Sequence, residues 1–134
     1  MIRVVLNTNV LVSALLNAQG APAQALLTIL LDPDMQLCVS GNIYSEYEDV
    51  IRRPRFERTD AEIEGALRHI RERGLWVRPT EKIRACSDPC DNIFLECALA
   101  AAAHYLLTGN RKHFPASWAG TQIVTPRQFL EAIL

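Results

Sequence analysis

Polar residues with oxygen-bearing side chains follow four short apolar runs of this chain. In chain order they are Asn7, Thr8 and Asn9, then Ser40 with Glu46 on the helix behind it, then Asp88 and Asp91, and finally Thr108 and Asn110 on either side of Gly109. Ligands of open α/β sheets bind beyond the carboxyl ends of the strands, so these residues are expected to converge at one edge. Carboxylates held that close repel one another unless a cation neutralises them, and hard oxygen ligands suit Mg²⁺ or Mn²⁺.

Each of these groups also has a purely structural interpretation. The segment 7–9 is compatible with a turn in which Asn9 caps the following helix. Glu46 is compatible with a solvated helix residue, and Asp91 with a helix cap whose charge suits the N-terminal end of the dipole. Their joint placement after successive strands favours a functional site over three unrelated surface features.

The elements that must position these residues alternate between strand and helix. Short apolar runs predict strands over 2–6, 36–39, 75–77, 105–107 and 122–124. Helical patterns, with Ser40 and Thr125 as N-caps and Gly74 as a C-cap, predict helices over 10–16, 22–31, 43–51, 60–73, 92–103 and 126–133. This alternation predicts an α/β fold in which helices cover both faces of a parallel sheet of five strands. We expect a single domain over 1–134.

The charge is unevenly distributed along the chain. Its 134 residues are 49% hydrophobic and 22% charged, with a net charge of -1, a balance that excludes a disordered or strongly basic chain. Residues 52–84 nevertheless hold ten of the fourteen basic side chains and six acids, a net of +4. Arg52, Arg53 and Arg55 follow the helix of Glu46, and we expect them to bind a phosphate backbone. The arginines of the next helix are equally compatible with a solvated face.

The four cysteines indicate a reducing compartment, and the apolar runs indicate no membrane-spanning segment. Cys86 and Cys90 are three residues apart, but no second pair or nearby histidine completes a zinc motif, so reduced thiols are expected. No apolar run reaches the roughly 18 residues of a membrane helix, and no signal-peptide pattern is recognised. A cytoplasmic protein without a membrane partner is the expectation.

Five segments, in order along nearly the whole chain, resemble motifs of the PIN-domain family. Residues 4–15 resemble its first motif, an aspartate followed by Thr-Asn-Val, and 45–50 its second acidic motif. The Arg-Arg-Pro-Arg-Phe of 52–56 resembles the signature of a branch that contains toxin components of toxin–antitoxin pairs. Residues 88–98 and 108–114 resemble the third acidic motif and the last motif of that branch. The resemblance implies a PIN-like three-layer α/β/α sandwich.

The resemblance also implies a function, that of an Mg²⁺- or Mn²⁺-dependent endoribonuclease. The residues it implies for catalysis are Asn7, Glu46, Asp91 and Thr108. The residues it implies around the metal are Glu46 and Asp91, with Asn7, Asp88 and Asn110, supported by Thr8, Asn9, Ser40 and Glu96. RNA would be bound by Arg52, Arg53 and Arg55 together with Arg111 and Lys112. The partners that it implies are RNA, an antitoxin protein and a second copy of the chain in a homodimer.

The main departure from the family pattern is at position 7, where an aspartate is replaced by Asn7. Asparagine has the shape of aspartate and can offer a carbonyl oxygen to a cation, but it removes one negative charge. We therefore expect the fold to persist while metal affinity and catalysis fall. Asn7 is either an engineered inactivation or the native residue of a weak nuclease or of an inactive RNA- or protein-binding module, and the sequence leaves both explanations open.

A different class of protein with an acidic pocket is less compatible with this residue. Phosphatases and receiver-like domains need an aspartate after a strand as the phosphate acceptor, and the amide of Asn7 cannot act as that nucleophile.

Overall fold

The computed structural model describes all residues from Met1 to Leu134. It contains six strands, namely β1 (Ile2–Leu6), β2 (Met35–Val39), β3 (Leu75–Trp76), β4 (Tyr105–Leu107), β5 (Ser117–Trp118) and β6 (Thr121–Val124). It contains six α-helices, namely α1 (Thr8–Leu16), α2 (Ala21–Leu31), α3 (Gly41–Ile51), α4 (Asp60–Arg73), α5 (Asn92–Ala101) and α6 (Pro126–Ala132). Three short 3₁₀ turns cover Pro54–Phe56, Pro89–Asp91 and Arg111–His113.

All strands belong to one sheet with the order β3-β2-β1-β4-β6-β5. Every neighbouring pair is parallel except β5 and β6. Val4, Val5 and Leu6 of the central strand β1 are all fully buried. Because successive strand residues point to opposite faces, both faces of the sheet must be covered. The predicted α/β class is therefore confirmed.

The edge of the sheet corrects the expectation of five parallel strands. β5 pairs with β6 in the antiparallel direction, Ser117 opposite Gln122 and Trp118 opposite Thr121. Ala119 and Gly120 connect the two strands with φ values of 47° and 89°, the left-handed region that a tight hairpin turn requires. A two-residue strand has no periodicity to recognise, and a two-residue turn can only join antiparallel neighbours.

Local capping explains why the longer helices begin and end where they do. Ser40 Oγ accepts the Ile43 N–H at 3.2 Å, as predicted, and Thr125 closes a capping box at the start of α6. At the end of α4, Gly74 has φ of -69°, so no left-handed backbone demands glycine there. A Cβ at this position would lie 2.6 Å from the Ile70 carbonyl oxygen, and this close approach excludes a larger residue.

No single helix of the structure is long and apolar enough to cross a membrane. Taken together, α1 and α2 reach the required length and composition, but the chain bends by 105° between them.

Candidate active site

A cavity of about 560 Å³ opens at the carboxyl ends of the central strands. The segments that follow β1 and β4 line it, together with α3 and the turn before α5. The structure brings nine of the predicted residues to this cavity, namely Asn7, Thr8, Asn9, Glu46, Asp88, Asp91 and Asn110, with Arg53 and Arg55 on its basic side. The cavity thus combines carboxylates from two elements with side chains from the ends of two neighbouring strands.

Asn7 is positioned by the pairing of β1 with β4. Leu6 lies opposite Leu107 in this pair, so Asn7 and Thr108 leave the sheet side by side. The buried Asn7 amide donates from Nδ2 to Thr108 Oγ1 at 3.0 Å. The same Thr108 oxygen accepts the Asn110 N–H at 3.0 Å, and Asn9 Oδ1 accepts the Gly109 N–H at 3.2 Å. Thr108 is fully buried and does not line the cavity, so it acts on the site through Asn7 and Asn110.

Glu46 is positioned by its neighbour in α3. The buried Tyr47 hydroxyl donates to the Leu6 carbonyl oxygen and so ties α3 to the end of β1. The preceding residue, Glu46, consequently lies beside the first turn of α1, where Thr8 Oγ1 donates a short hydrogen bond to Glu46 Oε2. This bond fixes the orientation of the carboxylate at the cavity.

Asp88 and Asp91 come from the 3₁₀ turn that leads into α5. Asp88 Oδ1 accepts the Cys90 N–H, and the Asp91 N–H bonds to the Asp88 carbonyl, each at 3.0 Å. Burial raises the pKa of Asp91 and the charge of Asp88 raises it further, while His113 lowers it and Glu46 raises it by less. The charged form of Asp91 is therefore disfavoured in this cavity.

Two residues with titratable side chains line the cavity without having been predicted. His113 lies in the turn after β4, with Nδ1 3.6 Å from Asp91 Oδ2 and Nε2 3.1 Å from the Asn110 amide nitrogen. Cys90 is exposed, and the charge of Asp88 raises the pKa of its thiol. The sequence signal for both is weak, since a lone histidine and a lone cysteine in loops are common, and only the turns in which they lie bring them to the carboxylates.

Ser40 and Glu96 lie outside the cavity, although both were predicted to support the site. Ser40 is buried as the N-cap of α3. Glu96 is also buried, and its Oε2 accepts the Ile83 N–H at 3.1 Å. Five residues along a helix correspond to about 140° of rotation beyond a full turn, so Asp91 and Glu96 face different directions. Glu96 thereby holds the loop that precedes α5.

Three of the predicted RNA-binding residues also lie elsewhere. Arg52 pairs with Glu64 at 2.7 Å and with Glu48 at 3.6 Å, on the far side of α3 from the cavity lining. Arg111 and Lys112 line a separate depression beside Phe114. Arg53 and Arg55 remain at the cavity, Arg53 within 3.3 Å of Asp49 and Arg55 over the ring of Phe56.

The donor set at the cavity is suited to a hard divalent cation. Glu46, Asp88 and Asp91 line the same cavity as Asn7, whose Oδ1 has no hydrogen-bond partner in the protein. No group of three or more His, Cys, Asp or Glu side chains lies close enough together to hold a metal ion by itself. Mg²⁺ rarely requires such a group, because one or two carboxylates, water and a substrate phosphate usually complete its coordination. All four cysteines are free thiols.

Two comparisons with known proteins were informative about the family. A search of curated proteins found no match to the chain, whereas a search of family models gave a match that agrees with this geometry. A family model described as PIN domain matches residues 3–112, which include every strand-end segment that lines the cavity. PIN domains are generally nucleases, and they typically use divalent metal ions. The matched range, most of the 134 residues, shows that this chain belongs to the PIN-domain family.

Proposed function

We propose that the protein is a divalent-cation-dependent endoribonuclease whose activity is weakened by Asn7. The observation that carries the proposal is the set of three carboxylates that line one cavity, where burial and the charge of Asp88 raise the pKa of Asp91. Such an arrangement costs stability in the absence of a ligand, and a bound cation would remove the cost. A site of this kind is expected where a phosphodiester is hydrolysed.

Glu46 and Asp91 would hold the cation, Mg²⁺ or Mn²⁺, with Asn7, Asp88 and Asn110 beside it. A bound cation supplies positive charge that lowers the pKa of a water molecule and offsets negative charge on the phosphate. The protein's own contribution is positioning. Thr8 orients the Glu46 carboxylate through its hydroxyl, and Thr108 orients the Asn7 amide.

Arg53 and Arg55 would bind the phosphate backbone next to the carboxylates. Both are exposed and line the same cavity. The ion pair of Arg53 with Asp49 is exposed as well, so it contributes little and can be exchanged for a phosphate. Positive side chains beside an acidic cation site allow a nucleic acid to bind without repulsion from the carboxylates.

The biological role that we propose is that of the toxin in a toxin–antitoxin pair. It is supported by the resemblance of the segment Arg52 to Phe56, and of the two last motifs, to the toxin branch of the family. An antitoxin protein that covers the cavity, a homodimer and a cytoplasmic location belong to the same proposal.

The decisive experiment restores the missing carboxylate. We expect Asn7→Asp to increase Mn²⁺-dependent cleavage of single-stranded RNA by at least about tenfold, which corresponds to about 1.4 kcal/mol of transition-state stabilisation. The expected physical reason is the added charge, since Asp and Asn have the same shape, and the Thr108 hydroxyl, which accepts from the Asn7 amide, can donate to an aspartate.

Two controls make the result specific. Asn42→Asp makes the same chemical change on the exposed surface of α3 and should leave cleavage unaltered. The double variant Asn7→Asp/Asp91→Asn should be inactive. Equal, negligible cleavage by the original chain and Asn7→Asp, with RNA binding retained, would overturn the nuclease proposal and favour a binding module.

A further inference from the structure

We propose that the apolar part of the cavity wall binds one unpaired nucleobase of the RNA. This apolar wall consists of Val12, Leu16, Val50 and Phe56, and Arg55 lies at its rim. The inference rests on the proposed function only for the nature of the ligand, a single-stranded RNA. It adds a subsite, and with it a reason for the protein to distinguish unpaired from paired nucleotides.

The apolar wall leaves hydrophobic surface open to the cavity. Leu16, the last residue of α1, is 47% exposed, and the Phe56 ring is only half-buried. Both side chains face a space that is otherwise lined by polar and charged groups. Exposed apolar surface inside a polar cavity is typical of a ligand subsite, because water contacts there are readily replaced by a flat apolar group.

Arg58 holds the two halves of the wall together. Its Nε donates to the Phe56 carbonyl at 3.1 Å, and its Nη1 donates to the Leu15 carbonyl at 3.3 Å. One guanidinium therefore connects the Pro54–Phe56 turn to the end of α1. Glu57 ends that turn with a left-handed φ of 50°. The backbone of the Pro54–Phe56 turn is thus held at the end of α1 by hydrogen bonds from Arg58.

Arg55 and Phe56 form a stacked pair that can accept a base. The Arg55 guanidinium carbon lies 4.8 Å from the centroid of the Phe56 ring. Arg55 has no carboxylate within ion-pair distance, so its charge and its planar group remain open to a ligand. Bases stack well on aromatic rings and on guanidinium planes, and this stacking tolerates any base because every base has a π-face.

The charge pattern of the cavity identifies the occupant. The cavity is lined by carboxylates that favour a cation, by two arginines that favour phosphate, and by the apolar wall. A nucleotide unit combines a phosphate with a flat, largely apolar base in the same way. A base inside a duplex is stacked and paired, so only an unpaired one can reach this wall.

The test measures binding of the chain without cleavage. Fluorescence anisotropy in EDTA would give the affinity for a labelled single-stranded decaadenylate RNA, and for the same RNA with a single abasic ribose at each successive position. We expect Phe56→Ala to weaken binding of the intact RNA by about 5- to 150-fold, the range for loss of one base–aromatic stack. Phe56→Tyr keeps the ring and should keep the affinity, and thermal unfolding would show that each variant is folded.

The abasic series separates base stacking from a structural role of Phe56. One abasic position should weaken binding to the original chain and should have no additional effect in Phe56→Ala, because the same contact is removed twice. Arg55→Ala should reduce discrimination at that position, whereas Arg68→Ala, which removes an exposed charge from α4, should not.

Three results would overturn the inference. They are an abasic series that is flat in the original chain, a Phe56→Ala loss that is the same for every abasic RNA, and an equal loss for a ten-base-pair RNA duplex. The first result would favour a protein segment, such as an antitoxin, as the occupant of the wall. Failure of Asn7→Asp to cleave RNA would refute the proposed function alone, since the coupling between Phe56 and one base is measured without cleavage.

Discussion

Two sides of the start of α5 use the same kinds of side chain in opposite ways. On one side, Asn92 Oδ1 accepts the N–H groups of Ala85 and Cys86, and Glu96 accepts that of Ile83. These buried acceptors fasten the loop that precedes the helix. On the other side, Asp91 faces Asp88 and Glu46 across the open cavity, and its pKa is raised by burial and by their charge.

The difference teaches which acids of this chain serve the fold. An acceptor oxygen that is satisfied by backbone N–H groups stabilises the native structure. A carboxylate that is partly buried beside like charges lowers the free energy of unfolding, and such groups are common where a protein binds a ligand. Sequence position alone does not separate the two classes, because Asp91 and Asn92 are adjacent.

The largest effect on stability is expected on the loop-facing side. Glu96→Ala leaves the Ile83 N–H without a partner in a buried position, which should cost roughly 1–3 kcal/mol of unfolding free energy in chemical denaturation. Glu96→Gln keeps an acceptor oxygen and should cost less. Neither variant should change the affinity for Mn²⁺, measured by calorimetry. A loss of Mn²⁺ affinity in Glu96→Gln would show that this carboxylate belongs to the cation site after all.

A smaller effect, of opposite sign, is expected on the cavity side. The pKa of Asp91 is higher in the folded than in the unfolded chain, so the folded state loses stability as pH rises through that pKa. Asp91→Asn removes this penalty and should raise the melting temperature at pH 7 in EDTA. The gain should shrink as pH falls through the raised pKa of Asp91, because the carboxyl group of the original chain then becomes protonated.

An exposed acid supplies the control for this pH dependence. Asp34→Asn changes a solvated carboxylate and should leave the melting temperature unaltered. If Asp91→Asn instead lowers the melting temperature at pH 7, the carboxylate stabilises the helix N-terminus more than its neighbours destabilise it, and the contrast between the two sides of α5 disappears.

Much of the fold follows from local sequence signals. The helix over 60–73 is confirmed at both predicted ends, since its apolar face and Gly74 agree with the structure. Strand β4 is likewise confirmed over 105–107. β5 could not be predicted, because its pairing depends on a two-residue turn and on a neighbour that only the folded chain provides. The predicted helix over 92–103 ends early, at Ala101, where Ala102 turns left-handed with φ of 50°.

The candidate site follows from topology more than from local sequence. Parallel strands bring the segments after β1 and β4 together, which is why the sequence could place Asn7 and Asn110 at the same edge of the sheet. The direction in which a side chain leaves a helix is harder to predict without its packing partners, as Glu96 illustrates. The positions of His113 and of Phe56 in the apolar wall depend on 3₁₀ turns, which carry almost no periodic signal in the sequence.

The most direct measurement is the anomalous diffraction signal of Mn²⁺ in crystals of this chain. The account predicts a peak in the cavity between the carboxylates of Glu46 and Asp91, and no peak there in crystals of Asp91→Asn. A cavity without Mn²⁺ at a concentration that saturates the protein in solution, or a peak only beside Glu96 on the other side of α5, would contradict it.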